Sequence, residues 1–386
     1  MNSRERVLKT LEHEEPDKVP IDFGGAMCTQ IAIKSYEKLR KFLGLNDIEM
    51  KISNINEQTV FPNEDILKLF NVDIRGVYLD FPPPIIEEKE NGYYFTDIWG
   101  IKQRMPKVGG YYFDAISRPL QNANIEDLKE YNFPDPKDPI VEPLWEAIEI
   151  KAKKLYEESN YALVSGYLSG VFELSWNLRG LDKFLIDLII NKKFAEILMD
   201  KALNFVLAFW DELLNRVGEY VQVVQVGEDL GMQTGPIINP ELFRKLIKPR
   251  DEKIFKFIKK KANVYLLLHS CGSIYKFIPD LIEMGVDALN PVQVSAKDMD
   301  TKKLKEEYGE KITFWGGGCN TQHILPHGSP EDVINEVKKR IKDLAPGGGF
   351  IFTQVHNIQA DVPSENIVAM FETVKKYGWY PIKNIS

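Results

Sequence analysis

From about residue 160 onward, short apolar runs alternate with longer amphipathic stretches. The runs are "YALVSGY" (161–167), "YVQVVQV" (220–226), "VYLLLH" (264–269), "VDALNP" (286–291), "ITFWG" (312–316) and "FIFTQV" (350–355). Strand-sized apolar runs separated by helix-sized amphipathic ones are the signature of parallel βαβ units. Helix start signals stand between them: Asn239-Pro240-Glu241, Ser273 before "IYKFIPDLIEMG", and Ser329-Pro330-Glu331-Asp332 before "VINEVKKRIKDL". Two earlier runs, "KVPIDFGG" (18–25) and "VDIRGVYLD" (72–80), bring the strand count to eight, with "IAIKSYEKLRKFLGL" and "NEDILKLF" as helices around them. The pattern predicts an α/β fold, a (β/α)8 TIM barrel, formed by residues 1–386 as a single domain.

Residues 86–130 break the rhythm. Asn91-Gly92 and Gly109-Gly110 fall between aromatic-rich runs, the arrangement of β-hairpins. This stretch is expected to be a β-hairpin insertion near the N-terminus of the barrel, followed by a Pro- and Asp-rich joint and a long helix beginning near Leu144.

Composition narrows the class of partner. With 44% apolar and 27% charged residues the chain should fold compactly. A net charge of −8 offers no field for phosphate backbones, which argues against nucleic acid. The N-terminus lacks the apolar stretch of a signal peptide and no run approaches the ~18 apolar residues of a membrane span, so a cytoplasmic protein is expected. Three cysteines (Cys28, Cys271, Cys319) cannot build a secreted disulfide framework. "IDFGGAM" is not a G-x-G-x-x-G fingerprint, and no dinucleotide is indicated.

In a barrel of this kind the C-terminal strand ends open onto one mouth, where active sites lie. Those ends carry Asp22, Asp80, Tyr167, Glu228-Asp229, His269 with Cys271, Asn290, Cys319 and His356-Asn357. His269 and Cys271 are two residues apart at a strand end, and alternation points both side chains the same way. With Cys319, after "WGGG", they would offer one imidazole and two thiolates, a set suited to Zn²⁺ with a fourth position open. Cys28, just past the first strand, could supply a further thiolate but reads more readily as a core or loop residue. His323 and His327 read as surface loop residues because Pro326 and Gly328 interrupt their helical spacing. Adjacent Glu228 and Asp229 after a buried run are costly unless they bind a cation or transfer protons. They and His356 are the expected catalytic groups. Asp22, Tyr167, Gln233 and Asn357 are the expected substrate contacts.

Taken together, "RERVLKTLEHEEPDKVPIDFGG", "GVFELSWNLRG", "GEDLGMQTGPIINPELFRKLIKPR", "LHSCGSIYKFIPDLIEMGVDALNPVQ" and "GGGFIFTQVHNIQADVPSENIVAMFE" resemble the uroporphyrinogen decarboxylase superfamily, more closely its cobalamin-dependent methyltransferase branch. In the zinc methyltransferases of that branch a His-x-Cys pair and a later Cys hold the metal, which the resemblance carries onto His269, Cys271 and Cys319. Its decarboxylases carry an Arg-Gln-Ala-Gly-Arg motif near the first strand, where this chain has "IDFGGAMCTQ". Without those arginines a polycarboxylate loses its charge partners. Asp80 is the position that would match the catalytic Asp of the decarboxylases. The resemblance thus implies a zinc-dependent methyltransferase acting between a small-molecule methyl donor or acceptor and a corrinoid. As nothing here resembles a cobalamin-binding Asp-x-His-x-x-Gly, the corrinoid is expected on a separate protein. The alternative is a metal-free decarboxylase.

Overall fold

The computed structural model describes residues 1–46 and 48–383. Its centre is a curled sheet of seven parallel strands in chain order: β1 (Ile74–Val77), β2 (Ala162–Ser169), β3 (Val223–Gly227), β4 (Tyr265–His269), β5 (Ala288–Asn290), β6 (Thr313–Trp315) and β7 (Phe350–Ile351). Each pairs with its sequence neighbour, so the architecture is TIM-barrel-like.

The predicted first strand survives only as a three-residue connection between the two sheet edges. Phe352 N–H donates to Pro20 O at 2.8 Å and Asp22 N–H to Phe352 O at 2.9 Å. On the other edge Asp73 N–H donates to Ile21 O at 2.8 Å, while Ile21 N–H turns to the Asp73 carboxyl at 2.9 Å. Pro20 has no N–H to give a ladder, and Asp73 supplies a side-chain acceptor in place of a backbone one. That carboxyl is held in turn by Arg6 Nη1 at 2.6 Å.

Strand parity sorts the core into two layers. Ile74, Val164, Val223, Leu267, Ala288, Trp315 and Ile351 form a cluster inside the curl with Val7 and Leu11 of the N-terminal helix. Their neighbours Val224, Leu266, Leu268, Leu289 and Phe314 join the larger cluster between sheet and helices. With both faces covered, the strands read as continuous apolar runs.

The helix starts follow the sequence at two points. Asn239 accepts from Glu241 N–H, and Ser329 forms a capping box with Asp332 at the head of Pro330–Leu344. Ser273 does not cap; the chain first makes a 3₁₀ turn at Tyr275–Phe277 and only then the helix Ile278–Glu283. His323 and His327 are exposed, but Ile324–His327 is one helical turn rather than loop, Pro326 being tolerated in a first turn that needs no N–H from it.

Between β1 and β2 in the chain stands a four-stranded antiparallel meander, Glu87–Lys89, Gly92–Thr96, Lys102–Pro106 and Asp114–Ser117. It turns at Asn91-Gly92 and Gly109-Gly110. Strand structure stops at Ser117; Ile125–Glu130 is a short helix with Asn124 as its cap. No helix among the described residues is long and apolar enough to cross a membrane.

Candidate metal centre at the sheet mouth

His269 ends β4 on the same parity as Leu267, so its ring projects into the curl at the carboxyl ends of the strands. It is 3% exposed. Its Nδ1 lies 2.6 Å from Asn290 Oδ1, and Asn290 Nδ2 donates to Trp315 O at 2.8 Å. The second bond fixes which end of the amide faces His269. The oxygen must accept, Nδ1 carries the hydrogen, and Nε2 is left with a lone pair. Burial holds the imidazole below its ordinary pKa, which keeps it neutral.

Donor atoms gather around that ring. Cys271 Sγ lies 3.3 Å from Nε2, and Asp229 Oδ1 lies 4.0 Å from it. Asp229, His269 and Cys271 present one ligand atom each within 4.8 Å of one another, and so do Cys28, His269 and His356. The His269 and His356 rings meet at 67° with centroids 5.2 Å apart. Tyr167 closes another side, its hydroxyl 3.4 Å from Cys28 Sγ. His356 and Tyr167 have φ of +61° and +145°, conformations that non-glycine residues rarely hold. Burial pushes the Cys28 and Cys271 thiols well above their usual pKa, with nearby acidic charges adding to it. Imidazole nitrogen, thiol sulfur and carboxyl oxygen are the donors that suit zinc, and a divalent cation would supply the charge that holds buried thiols as thiolates.

Asp229 and Glu228 divide between two sides of the strand end. Asp229 Oδ1 accepts from Cys271 N–H at 2.7 Å, on the mouth side. Glu228 points outward, because consecutive side chains alternate. It is 1% exposed and accepts from Glu173 N–H at 2.9 Å, at the first turn of the helix Val171–Arg179. Asp251 accepts from Val171 N–H at the same helix end. Burial, and then the charges of Asp251 and Glu173, push Glu228 well above the usual carboxyl pKa. A Cβ at position 170 would come within 1.7 Å of Glu228 Oε2, so any side chain there would displace that carboxyl.

The structure does not bring Cys319 to this group. Gly316 and Gly317, with φ of +124° and +74°, turn the chain sharply after β6, and the strand parity that placed Trp315 inside ends there. Cys319 is fully buried in the outer core, and the charged groups acting on its thiol are Glu336 and Arg340 of the helix Pro330–Leu344. Asp22 is not free for a substrate either. Its carboxyl accepts from Trp315 Nε1, Gly25 N–H and the Thr29 hydroxyl at 2.8, 2.8 and 3.0 Å, and so shapes the turn that carries Cys28. Gln233 is an exposed tether, donating to Ser295 O and accepting from Gln293 Nε2. Asp80 is exposed and ion-paired with Lys51. Asn357 accepts from Gln30 N–H and donates to Glu57 Oε2 at 2.5 Å.

Two acidic residues of the mouth escaped the sequence reading. Glu173 bonds Ser169 Oγ and Asp229 N–H, and desolvation, followed by the charge of Asp229, pushes it up to about 7. In the sequence it looks like an acidic residue in a helix's first turn, where the dipole alone explains it. Glu57 acts electrostatically on Cys28, Tyr167, Glu173, His269 and Cys271. It lies between two short strands, Ile52–Asn54 and Thr59–Val60, where no periodicity marks it.

A TIM-barrel-like sheet with polar and ligating side chains gathered at its carboxyl mouth defines an enzyme architecture. The profile of the family "Uroporphyrinogen decarboxylase (URO-D)" matches residues 98–377, and the chain belongs to that family. Curated relatives named uroporphyrinogen decarboxylase include one from Rickettsia massiliae, 25% identical over 65% of this chain and 69% of that protein. Another, from Rickettsia africae, is 26% identical over 53% and 56%. A third, from Pseudoalteromonas atlantica, is 30% identical over only 21% and 22%. The chain thus spans about a fifth to just over half of the length of these last two relatives. Among solved structures, a methyltransferase from Methanosarcina mazei shares the fold, with a TM-score of 0.66 and 17% identity over 98% of this chain and 99% of that one.

Proposed function

We propose that the chain is a zinc-dependent methyltransferase that moves a methyl group between a small substrate or thiol and a corrinoid carried by a separate protein. The observation that carries this reading is the group formed by His269, Cys271 and Asp229, with a neutral imidazole whose Nε2 lone pair faces the Cys271 sulfur at 3.3 Å. His269, Cys271 and Asp229 would hold the ion. When bound, zinc supplies Lewis acidity, able to keep a substrate thiol as thiolate or to polarise an ether or alcohol oxygen. The chain's own residues do the rest. Asn290 orients His269, the Cys271 N–H orients Asp229, and burial keeps the site dry. His356 and Tyr167 line the side a substrate would enter, and Asn357 holds Glu57 toward it.

The names of the relatives favour a second reading, a metal-free decarboxylase. The mouth opposes it, since a substrate with many carboxylates would meet the acidic side chains Glu57, Glu173 and Asp229. Metal analysis of the purified protein separates the two. One zinc per chain is expected, held more weakly in Cys271→Ser while the fold persists, because the apolar core does not need the ion. A protein that purifies without zinc and takes none up would leave the decarboxylase.

A further inference from the structure

Cys28 stands apart from the family's His-x-Cys pattern, on the turn after the first strand segment, 139 positions from Tyr167, whose hydroxyl its sulfur meets. Three observations aim it at the ion's position. One ligand atom from each of Cys28, His269 and His356 lies within 4.8 Å of the other two. Ligands at Zn–S and Zn–N lengths of about 2.3 and 2.0 Å stand roughly 3.5 Å apart, so small movements would close these three around one ion, and His269 is shared with the group that holds Cys271. The turn that carries Cys28 is braced from below by Asp22, whose carboxyl bonds Thr29 Oγ1 and the amides of Gly25 and Ala26. From the side, Met27 N–H donates to Gln225 Oε1 at 2.9 Å. Finally, Cys28 Sγ donates to the Tyr167 hydroxyl, a group able to turn and donate to a thiolate while leaving other sulfur lone pairs for a metal.

We propose that Cys28 is the second sulfur ligand of the metal, the role expected of Cys319, and that it completes with His356 a coordination set built on His269 and Cys271. The site would then draw donors from the first, fifth and last strand positions of the curl, clamping the sheet edges at the place where their hydrogen bonding is sparsest. Asp229 would stand as the exchangeable donor, displaced when a substrate atom binds.

This rests on the zinc reading, and the test separates the two. X-ray absorption at the zinc edge of the unmodified protein counts sulfur ligands directly; two are expected, and one overturns the proposal. Co²⁺ replacing zinc then identifies them through thiolate-to-cobalt charge-transfer absorption. Cys28→Ser and Cys271→Ser should each lose about half of that intensity, and Cys319→Ser none. Cys28→Ala serves should the serine variant fold poorly. Two sulfurs with Cys28→Ser unchanged and Cys319→Ser halved would overturn the assignment of Cys28 and leave the zinc enzyme standing. A parent protein that binds neither Zn²⁺ nor Co²⁺ would overturn both.

Discussion

Asn290 Oδ1 lies 2.6 Å from His269 Nδ1, and the same amide is locked by its donation to the carbonyl of Trp315. Both bonds are buried, so the imidazole has one tautomer and one ring orientation. Asn290→Ala should leave a buried N–H without a partner and a ring free to turn. Metal affinity should fall about 10- to 100-fold, the usual effect of removing such a support, with the fold intact by circular dichroism. Unchanged zinc affinity would mean that the ring is held by its packing alone.

Neighbouring carboxyls should behave oppositely on substitution. Glu228 is buried against Asp251 with its pKa pushed well up, so it favours the neutral form, and Glu228→Gln keeps the acceptor for Glu173 N–H. The variant should unfold within about 1 kcal/mol of the parent and bind zinc equally. Asp229→Asn removes a charged donor from the mouth and should weaken zinc binding at least tenfold. Zinc titrations of the two variants side by side decide; equal losses would put Glu228 in the mouth after all.

Asp22 should leave a pH signature on stability. Burial raises its carboxyl from 3.8 to about 6. The folded state therefore keeps a proton between those values that the unfolded chain has released, and stability falls as pH rises through that window. Below it both states are protonated; above it the full cost is present, roughly 3 kcal/mol. Urea unfolding of the parent and of Asp22→Asn, compared at about pH 4 and about pH 6.5, should show the variant's relative stability rising by that order. A constant difference between the two proteins would mean that Asp22 does not titrate there.

Period and punctuation made most of the fold legible. Leu266-Leu267-Leu268 announces a strand covered on both faces, and its parity alone sends His269 and Cys271 to the same side. The first strand was legible as an apolar run but not as the short, side-chain-bridged connection it is, because that depends on Asp73, 52 residues from Ile21. At the site, local spacing found the His269 and Cys271 pair. It could not find where Cys319 points, since three glycines erase the parity of the strand before it, nor that Cys28 arrives from the other edge. Glu57 and Asn357 meet across 300 residues, a relationship no local pattern carries.

The most direct measurement is the rate of methyl transfer between methylcobalamin and a panel of thiol acceptors, followed by the absorbance of the released cob(I)alamin, with the protein first stripped of metal and then reloaded. Transfer should be absent in the stripped protein, restored by one equivalent of Zn²⁺, and absent in Cys271→Ser at any zinc concentration. Transfer at full rate after exhaustive chelation, or release of CO₂ from a porphyrinogen by the stripped protein, would contradict it.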